Sequence, residues 1–249
     1  LAFSAVCLNA VGTGMFAVLN PMRRLFSVFL DPSYARVLMQ HGNAAIIGQA
    51  VDEFMRHNRS LADQVMDRLL EMLSQLPEAL AKMPGDSAVL ESLSLDISDP
   101  RIDDKYTDDQ ISRKETAGAL TLEVALVFVD GIIQNEQHLT TFIEKGGTTM
   151  VAKCLAIYCL GINFTSTTAF HSISHLFQRL VEVAPATVFA ELFQSLPLTE
   201  LITLLERNDS SSLFAKEISQ PSERFKTLID TLSKSNAILG MICDLLGSG

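Results

Sequence analysis

Apolar side chains recur every three or four residues along most of this chain, which is the period of an α-helix. The first clear stripe predicts a helix that begins at Pro21 and ends at Asp31-Pro32, because proline disfavours helical backbone in the residue before it. The predicted apolar face of this helix comprises Met22, Leu25, Phe26 and Phe29.

Two more helices are predicted in the next forty residues. The first runs from about Asn43 to His57, with Asp52, Glu53 and Arg56 towards its polar side. Its predicted buried residues are Ile46, Ile47, Ala50, Val51 and Phe54. The second begins near Ser60, a favourable N-cap residue. Its predicted apolar stripe comprises Leu61, Val65, Leu69, Met72 and Leu76.

The helical pattern is interrupted from Asp96 to Gln110, where six aspartates and one proline replace the apolar residues. This composition predicts a solvated linker, with an acidic interaction tail as the alternative. The chain therefore divides into a first group of helical repeats (1–95), the acidic linker or loop (96–110) and a second group of armadillo-like repeats (111–249), all within one continuous solenoid.

Helical periodicity returns at Ile111, and a short helix is predicted to end at Glu144-Lys145. Gly146-Gly147 then turns the chain into the next helix, since a helix C-terminus commonly requires the left-handed backbone that glycine adopts easily. The predicted stripe of the first helix comprises Leu120, Val124, Val127, Phe128, Ile132 and Ile133. Later helices are predicted at Met150–Thr165, Ser166–Val183, Pro185–Ser195, Leu198–Arg207 and Pro221–Leu246, the last with a break near Ser235-Asn236.

Short helices joined by short turns, each buried on more than one side, predict an all-α fold of stacked helical hairpins of the armadillo or HEAT type. A compact helical bundle is the alternative, since many folds share this period. The longest apolar run is too short for a membrane span, which takes about 20 apolar residues.

Composition narrows the class of partner. The 249 residues carry a formal charge of −10, from 29 acidic and 19 basic side chains. Because such a surface repels phosphate and anionic lipid headgroups, protein partners are expected, with no direct nucleic-acid or membrane binding. No secretory signal opens the chain and Leu1 is not an initiator, so we expect a segment of a longer cytoplasmic or nuclear protein with reduced thiols. Its cysteines are Cys7, Cys154, Cys159 and Cys243.

One set of residues approximates the spacing of a two-cysteine, two-histidine zinc finger: Cys154, Cys159, His171 and His175. The cysteines lie in an apolar helical run rather than in the β-hairpin of a finger, so packing is expected to account for all four residues, and the thiols are expected to be buried. No metal or cofactor site is predicted. The aspartate pairs Asp103-Asp104 and Asp108-Asp109 lack the pattern of an EF-hand loop.

The sequence also lacks a catalytic signature. It contains no phosphate-binding glycine loop and no nucleophile elbow, and no cysteine has an evident basic or histidine neighbour in an open loop, where a thiol could be activated. No catalytic residue is therefore predicted. A small basic group on the N-terminal helices is expected to serve solvation and helix capping, with partner recognition as the alternative. It comprises Arg23, Arg24, Arg56, His57 and Arg59.

Three blocks carry a family resemblance: LNAVGTGMF with PMRRLFSVFLDPSY (residues 8–34), GQAVDEFMRHNRSL (48–61), and LTLEVALVFVDGIIQNEQHLTTFIEKGG (120–147). Together they resemble the N-terminal armadillo-like region of the giant HECT-type E3 ubiquitin ligases, the family of the yeast Tom ligase, the plant UPL ligases and the animal ligase with UBA and WWE modules. The resemblance covers about residues 8 to 196, and the acidic stretch lies where a variable insertion would fall.

The resemblance implies a non-catalytic scaffold segment that helps to recruit or present protein substrates, or that contacts other segments of its own parent chain. The family's catalytic cysteine belongs to a C-terminal HECT domain, whose pattern is absent here, so no catalytic residue transfers to this chain. An armadillo-type adaptor or transport scaffold unrelated to ubiquitin is the alternative function. An enzyme of another kind is disfavoured because no nucleophile, positioned base or carboxylate pair is evident.

Overall fold

The computed structural model describes residues 2–82, 117–156, 160, 164–207 and 223–247. Throughout these ranges the ordered elements are α-helices and short 3-10 turns, with no β-strand, which confirms the all-α prediction. The helices are α1 (Ala2–Val6), α2 (Ala10–Leu19), α3 (Pro21–Ser27), α4 (Pro32–Met39), α5 (Asn43–His57), α6 (Arg59–Ala81), α7 (Ala117–Ile132), α8 (Glu136–Glu144), α9 (Gly147–Leu155), α10 (Thr168–Val183), α11 (Pro185–Ser195), α12 (Leu198–Arg207) and α13 (Glu223–Gly247).

Several helices begin or end at the proline and glycine residues that the sequence analysis identified as boundaries. Helix α3 begins at Pro21 and continues as a 3-10 turn to Leu30. Asp31 then caps α4 by accepting a hydrogen bond from the backbone N–H of Ser33 at 2.9 Å, and this bond lowers the pKa of the Asp31 carboxyl. Gly146 adopts φ +83° between α8 and α9, as the double glycine predicts. The predicted bounds of α5, α11 and α12 are confirmed.

The predicted buried face of α5 is partly wrong. Ile46 and Ala50 are exposed, whereas Gly48 and Asp52 are buried together with Val51, Phe54 and Met55. The side of α5 that is buried is therefore turned around the helix axis, by about one residue position, from the side that the hydrophobic pattern predicts. The cause is α7, which packs closely against α5 on the side of the small residue Gly48.

Helix α7 is buried on all sides rather than along one stripe. Residues around its whole circumference are buried, including Glu123, because α4, α5, α6 and α10 all contact it. Its first described residue is Ala117. Aromatic packing fixes one of these contacts, since the ring of Phe128 stacks on Phe29 at a centroid distance of 3.8 Å and meets Phe26 edge-on at 5.2 Å.

The predicted break in the last helix is also wrong, because α13 continues through Ser235 and Asn236. Ser235 is buried, and its hydroxyl donates a hydrogen bond to the backbone oxygen of Thr231 at 2.9 Å. A serine hydroxyl that donates to the backbone oxygen one turn earlier has its hydrogen-bonding partner within the helix, so the serine does not end the helix. The predicted bounds at Ser60 and Ser166 shift slightly, to Arg59 and Thr168.

The helices on the two sides of residues 83–116 pack directly on each other. Helix α5 makes its most extensive contact with α7, and α6 contacts both α7 and α9. Farther along the chain, α7 contacts α10 and α10 contacts α13, while α9 contacts α11. The acidic stretch Asp96–Gln110 lies outside the described residues, so its role as a linker stays a prediction. Among the residues described, no helix combines the length and apolarity that a membrane crossing requires.

Candidate functional site

The closest backbone approach between α5 and α7 occurs at a pair of glycines. A Cβ atom on Gly48 would lie 2.5 Å from the backbone oxygen of Phe128 and 2.9 Å from Cα of Gly131. A Cβ atom on Gly131 would in turn lie 2.8 Å from the backbone oxygen of Ala45 and 3.0 Å from Cα of Gly48. Both positions therefore require glycine, since any side chain would force the two helices apart.

One turn beyond this crossing, a buried carboxylate joins α5 to α8. Asp52 is only 4% exposed, and its Oδ1 lies 2.6 Å from Nδ1 of His138. Its second oxygen, Oδ2, lies 3.0 Å from Nε of Arg56, one turn farther along α5. The prediction that Asp52 lies on the polar side of α5 is wrong, because the carboxylate is buried and both of its oxygens find partners within the fold.

His138 and Arg56 also line a groove between the start of α6 and the start of α8, with a volume of about 270 Å³. We call it the α5–α8 groove. Its apolar part is formed by Met55, Ala62 and Met66. Its polar part is formed by Arg56, Arg59, Asp63, Asn135, Gln137, His138 and Thr141. The exposed Arg59 thus lies in the groove, whereas Arg23, another member of the basic group, pairs with Glu71 at 3.7 Å.

The first turn of α8 is held rigidly at the mouth of this groove. The side chain of Asn135 caps α8 by accepting a hydrogen bond from the N–H of Gln137 at 2.9 Å. At the other end of α8, Lys145 Nζ lies 2.6 Å from a carboxylate oxygen of Asp67 and 3.6 Å from one of Asp63, both on α6. The hydrogen bond to Asp67 raises the pKa of Lys145. Helix α8 is therefore tied to α5 at its start and to α6 at its end.

The end of α7 is fixed from α10 by one arginine. Arg179 donates to the backbone oxygen of Asp130 at 3.3 Å, to the carboxylate of Asp130, and to the backbone oxygen of Ile133 at 2.7 Å. A guanidinium that binds the free carbonyls of a helix C-terminus satisfies them and interacts favourably with the helix dipole. Asp130 and Gly131, neighbours in the third resemblance block, thus contact two different helices: Asp130 binds Arg179 of α10, and Gly131 meets Gly48 of α5.

The zinc-finger-like spacing does not correspond to a cluster in the described structure. Cys154 is fully buried in α9, where its Sγ lies 3.2 Å from the backbone oxygen of Met150. His171 and His175 are exposed on α10, and His175 Nδ1 lies 3.4 Å from a carboxylate oxygen of Asp130. Packing therefore does not account for the two histidines as expected. Cys159 and the pairs Asp103-Asp104 and Asp108-Asp109 lie outside the described residues.

The cysteines differ in exposure, so the expectation of buried thiols holds only in part. Cys154 is buried, Cys7 is half-buried and Cys243 is exposed. Burial raises the pKa of the Cys154 thiol to about 12, and it also raises the pKa of Cys7.

We expect a maleimide at pH 7 to modify Cys243 rapidly and Cys154 only on unfolding, because the thiolate is the reactive form and Cys154 is both protonated and inaccessible. Peptide mass spectrometry of labelled protein, with and without denaturant, measures both rates. Rapid labelling of Cys154 in the native protein would show that the contact between α9 and α6 is open.

Sequence reasoning missed the pairing of Asp52 with His138 and the crossing of Gly48 with Gly131. One signal was present, because Ala44, Gly48, Asp52 and Met55 are three or four residues apart and share a helix face. The partner residues lie 83 and 86 positions later in the chain, in the third resemblance block. Two blocks that are separate in sequence therefore form one interface.

Comparison with known proteins identifies the family of this chain. Residues 1–163 match the family described as a domain of unknown function, DUF913. The E3 ubiquitin-protein ligase ptr1 of Schizosaccharomyces pombe is 31% identical over 192 residues, which are 77% of this chain and 5% of that protein. The E3 ubiquitin-protein ligase UPL1 of Arabidopsis thaliana is 25% identical over 191 residues, 70% of this chain and 5% of that protein. The E3 ubiquitin-protein ligase HUWE1 of Mus musculus is 35% identical over 81 residues, 30% of this chain and 2% of that protein.

The chain thus spans 5% or less of the length of these relatives. The DUF913 match takes in the two glycines of the α5–α7 crossing and both partners of the Asp52–His138 pair. The resemblance inferred from the three sequence blocks is confirmed: the chain is similar to a small part of several E3 ubiquitin ligases, and it belongs to the DUF913 family.

Proposed function

We propose that this chain is a non-catalytic scaffold section of a large HECT-type E3 ubiquitin-protein ligase that acts in the cytoplasm or nucleus. In this role it helps to recruit or present protein substrates to a distant catalytic domain. The observation that carries the proposal is the convergence of the resemblance blocks on one interface, in a chain that matches E3 ligases over a small part of their length.

The helix contacts support an armadillo-like solenoid within this proposal. One series of contacts runs from α5 to α7, then to α10 and α13, and a second runs from α6 to α9 and then to α11. Two parallel series, each linking successive helices of the chain, are what stacked helical hairpins produce. Such stacking creates extended surfaces, which suit a protein that holds other proteins.

The structural role of the buried polar groups beside the groove supports a presenting role. Asp52 and His138 are fixed to each other and to Arg56, and no serine, threonine or cysteine lines the groove beside them except Thr141. Among the described residues, no three side chains of metal-binding type form a cluster. These groups stabilise helix contacts and leave the groove surface free for a protein partner.

The α5–α8 groove is the surface on which we test the proposal, because it combines an apolar floor with an exposed arginine. In the full-length ligase, Arg59→Glu with Gln137→Glu is expected to lower ubiquitination at a subset of cellular sites about tenfold, which corresponds to about 1.4 kcal/mol of lost affinity. The sites are defined by comparing ubiquitin-remnant peptides between the wild-type ligase and a variant without its catalytic cysteine.

The matched control is Arg36→Glu with Gln40→Glu, which makes the same charge changes on exposed residues of α4 and the turn after it. It is expected to leave all sites at wild-type levels. Ubiquitin thioester formation from a loaded E2 is expected to be unchanged in both variants. Unchanged ubiquitination in the groove variant would argue for a purely architectural segment, and reduced thioester formation would argue that the segment takes part in catalysis.

A further inference from the structure

Helix α2 and the turn before it expose a continuous row of large apolar side chains. Leu8 is 83% exposed, Val11 74%, Met15 57% and Val18 85%. Within the helix, Val11, Met15 and Val18 are four and three residues apart and share one face, and Leu8 lies in the turn before it. The opposite face is an ordinary core face, since Phe16 is buried against Phe3 and Phe54. Helix α2 therefore has two apolar faces, and only one is covered.

This exposed row, which we call the α2 stripe, has no charged neighbour in sequence. The first charged residue of the chain is Arg23, so α1 and α2 contain none. Removing these four large apolar side chains from water would be a substantial driving force for association. A row of large exposed apolar side chains on a helix that has no charged residue of its own indicates a surface that another apolar surface covers.

The order of helix contacts indicates the kind of surface that covers it. Helix α1 contacts α5, which contacts α7, so α1 is the first member of one series of helix contacts. Helix α2 contacts α6, which contacts α9, so α2 is the first member of the other series. At each later step of these series, the apolar face of a helix is covered by a helix of the neighbouring layer. The α2 stripe has the period of such a face, and a helix is its natural occupant.

A glycine at the centre of the stripe points to the geometry of the contact. Gly14 lies between Val11 and Val18 on the exposed side of α2, and a Cβ atom built on it would meet no atom within 4 Å. At the internal α5–α7 interface, close helix approach occurs where Gly48 meets Gly131. Because Gly14 also has no side chain, a helix that packs against the exposed side of α2 could approach its backbone equally closely.

We propose that the α2 stripe is the docking face for a further helix of the same longer polypeptide, from outside residues 1–249, which crosses α2 near Gly14. The length of the relatives supports an occupant in the same chain, because their matched region is only 5% of ptr1 and of UPL1. This inference rests on the proposed function in that it takes the chain to be a section of a long solenoid. The occupant is a helix with an apolar face, and α2 is an internal layer of that solenoid.

Cysteine labelling in the full-length protein tests this proposal. Val18→Cys is expected to react with a maleimide at least about tenfold more slowly than Thr140→Cys, since a covered thiol reacts only when the interface opens. Thr140 is an exposed residue of α8 and serves as the control. In the isolated 249-residue chain, the two cysteines are expected to react at similar rates, and light scattering is expected to give a monomer.

Equal labelling rates in the full-length protein would overturn the proposal, because the stripe would then be open to solvent. A dimer of the 249-residue chain that Val18→Asp dissociates would also overturn it, by identifying a second copy as the occupant. These outcomes are separate from the test of the proposed function, since substrate ubiquitination depends on the α5–α8 groove and the labelling contrast depends on α2.

Discussion

Replacing Gly48 by alanine is expected to lower the free energy of unfolding by about 3 kcal/mol or more, or to prevent folding, because the new Cβ would overlap the backbone of α7. The contacts at 2.5 Å and 2.9 Å involve backbone atoms of Phe128 and Gly131, which cannot rotate away as a side chain could. The intrinsic helix propensity works in the opposite direction, since alanine in a helix is favoured over glycine by about 1 kcal/mol. The clash is expected to outweigh this gain.

Urea denaturation followed by circular dichroism measures the effect, and Gly14→Ala is the matched control. Gly14 also lies inside a helix, but a Cβ there meets nothing within 4 Å, so this variant is expected to be as stable as the wild type or up to about 1 kcal/mol more stable. If Gly48→Ala were as stable as Gly14→Ala, the close crossing of α5 and α7 would be wrong.

Replacing Asp52 by alanine is expected to lower the free energy of unfolding by about 3 kcal/mol, because it leaves the buried His138 ring nitrogen without its partner. Arg56 loses the same partner, but it is half-exposed and water can replace the carboxylate. The control is Glu53→Ala. Glu53 is exposed and lies 3.8 Å from the exposed His57, so this neighbouring change is expected to cost less than about 0.5 kcal/mol.

A double-mutant cycle separates the pair from general effects of truncation. The energies of Asp52→Ala and His138→Ala are expected to be non-additive by at least about 1 kcal/mol, as for residues in direct contact. Additive energies would show that the two side chains do not interact in solution. The denaturation midpoints of the variants are compared only where the slope of the unfolding free energy against urea concentration is unchanged. A changed slope would indicate that the substitution alters the unfolded state.

The sequence allowed the helices to be predicted better than their faces. The bounds of α5 followed from the hydrophobic periodicity, and the structure adds that Gly42, directly before the helix, has a left-handed backbone. The exposed side of the same helix was predicted wrongly at Ile46 and Asp52, because periodicity ranks residues by polarity and takes no account of close backbone approach. Burial of an aspartate depends on partners such as His138, which lies 86 residues away, and a local pattern does not reveal such partners.

The resemblance blocks were recognisable from the sequence, but their spatial relation was not. Gly48 and Asp52 lie in one block, and Gly131 and His138 lie in another, on the far side of the acidic stretch. The structure shows that these blocks meet, at the glycine crossing and at the buried contact between Asp52 and His138. These four residues of the resemblance blocks therefore join two groups of helices that are far apart in sequence.

The most direct test of this account is whether the two groups of helices need each other to fold. We predict that separately purified fragments 1–95 and 111–249 associate as a 1:1 complex with a gain in helical circular dichroism, because α5 and α7 bury much of each other's surface. Gly48→Ala in the first fragment is expected to weaken this association at least about tenfold, or about 1.4 kcal/mol. Two fragments that fold fully on their own and show no mutual binding by analytical ultracentrifugation would contradict the single interface on which the account depends.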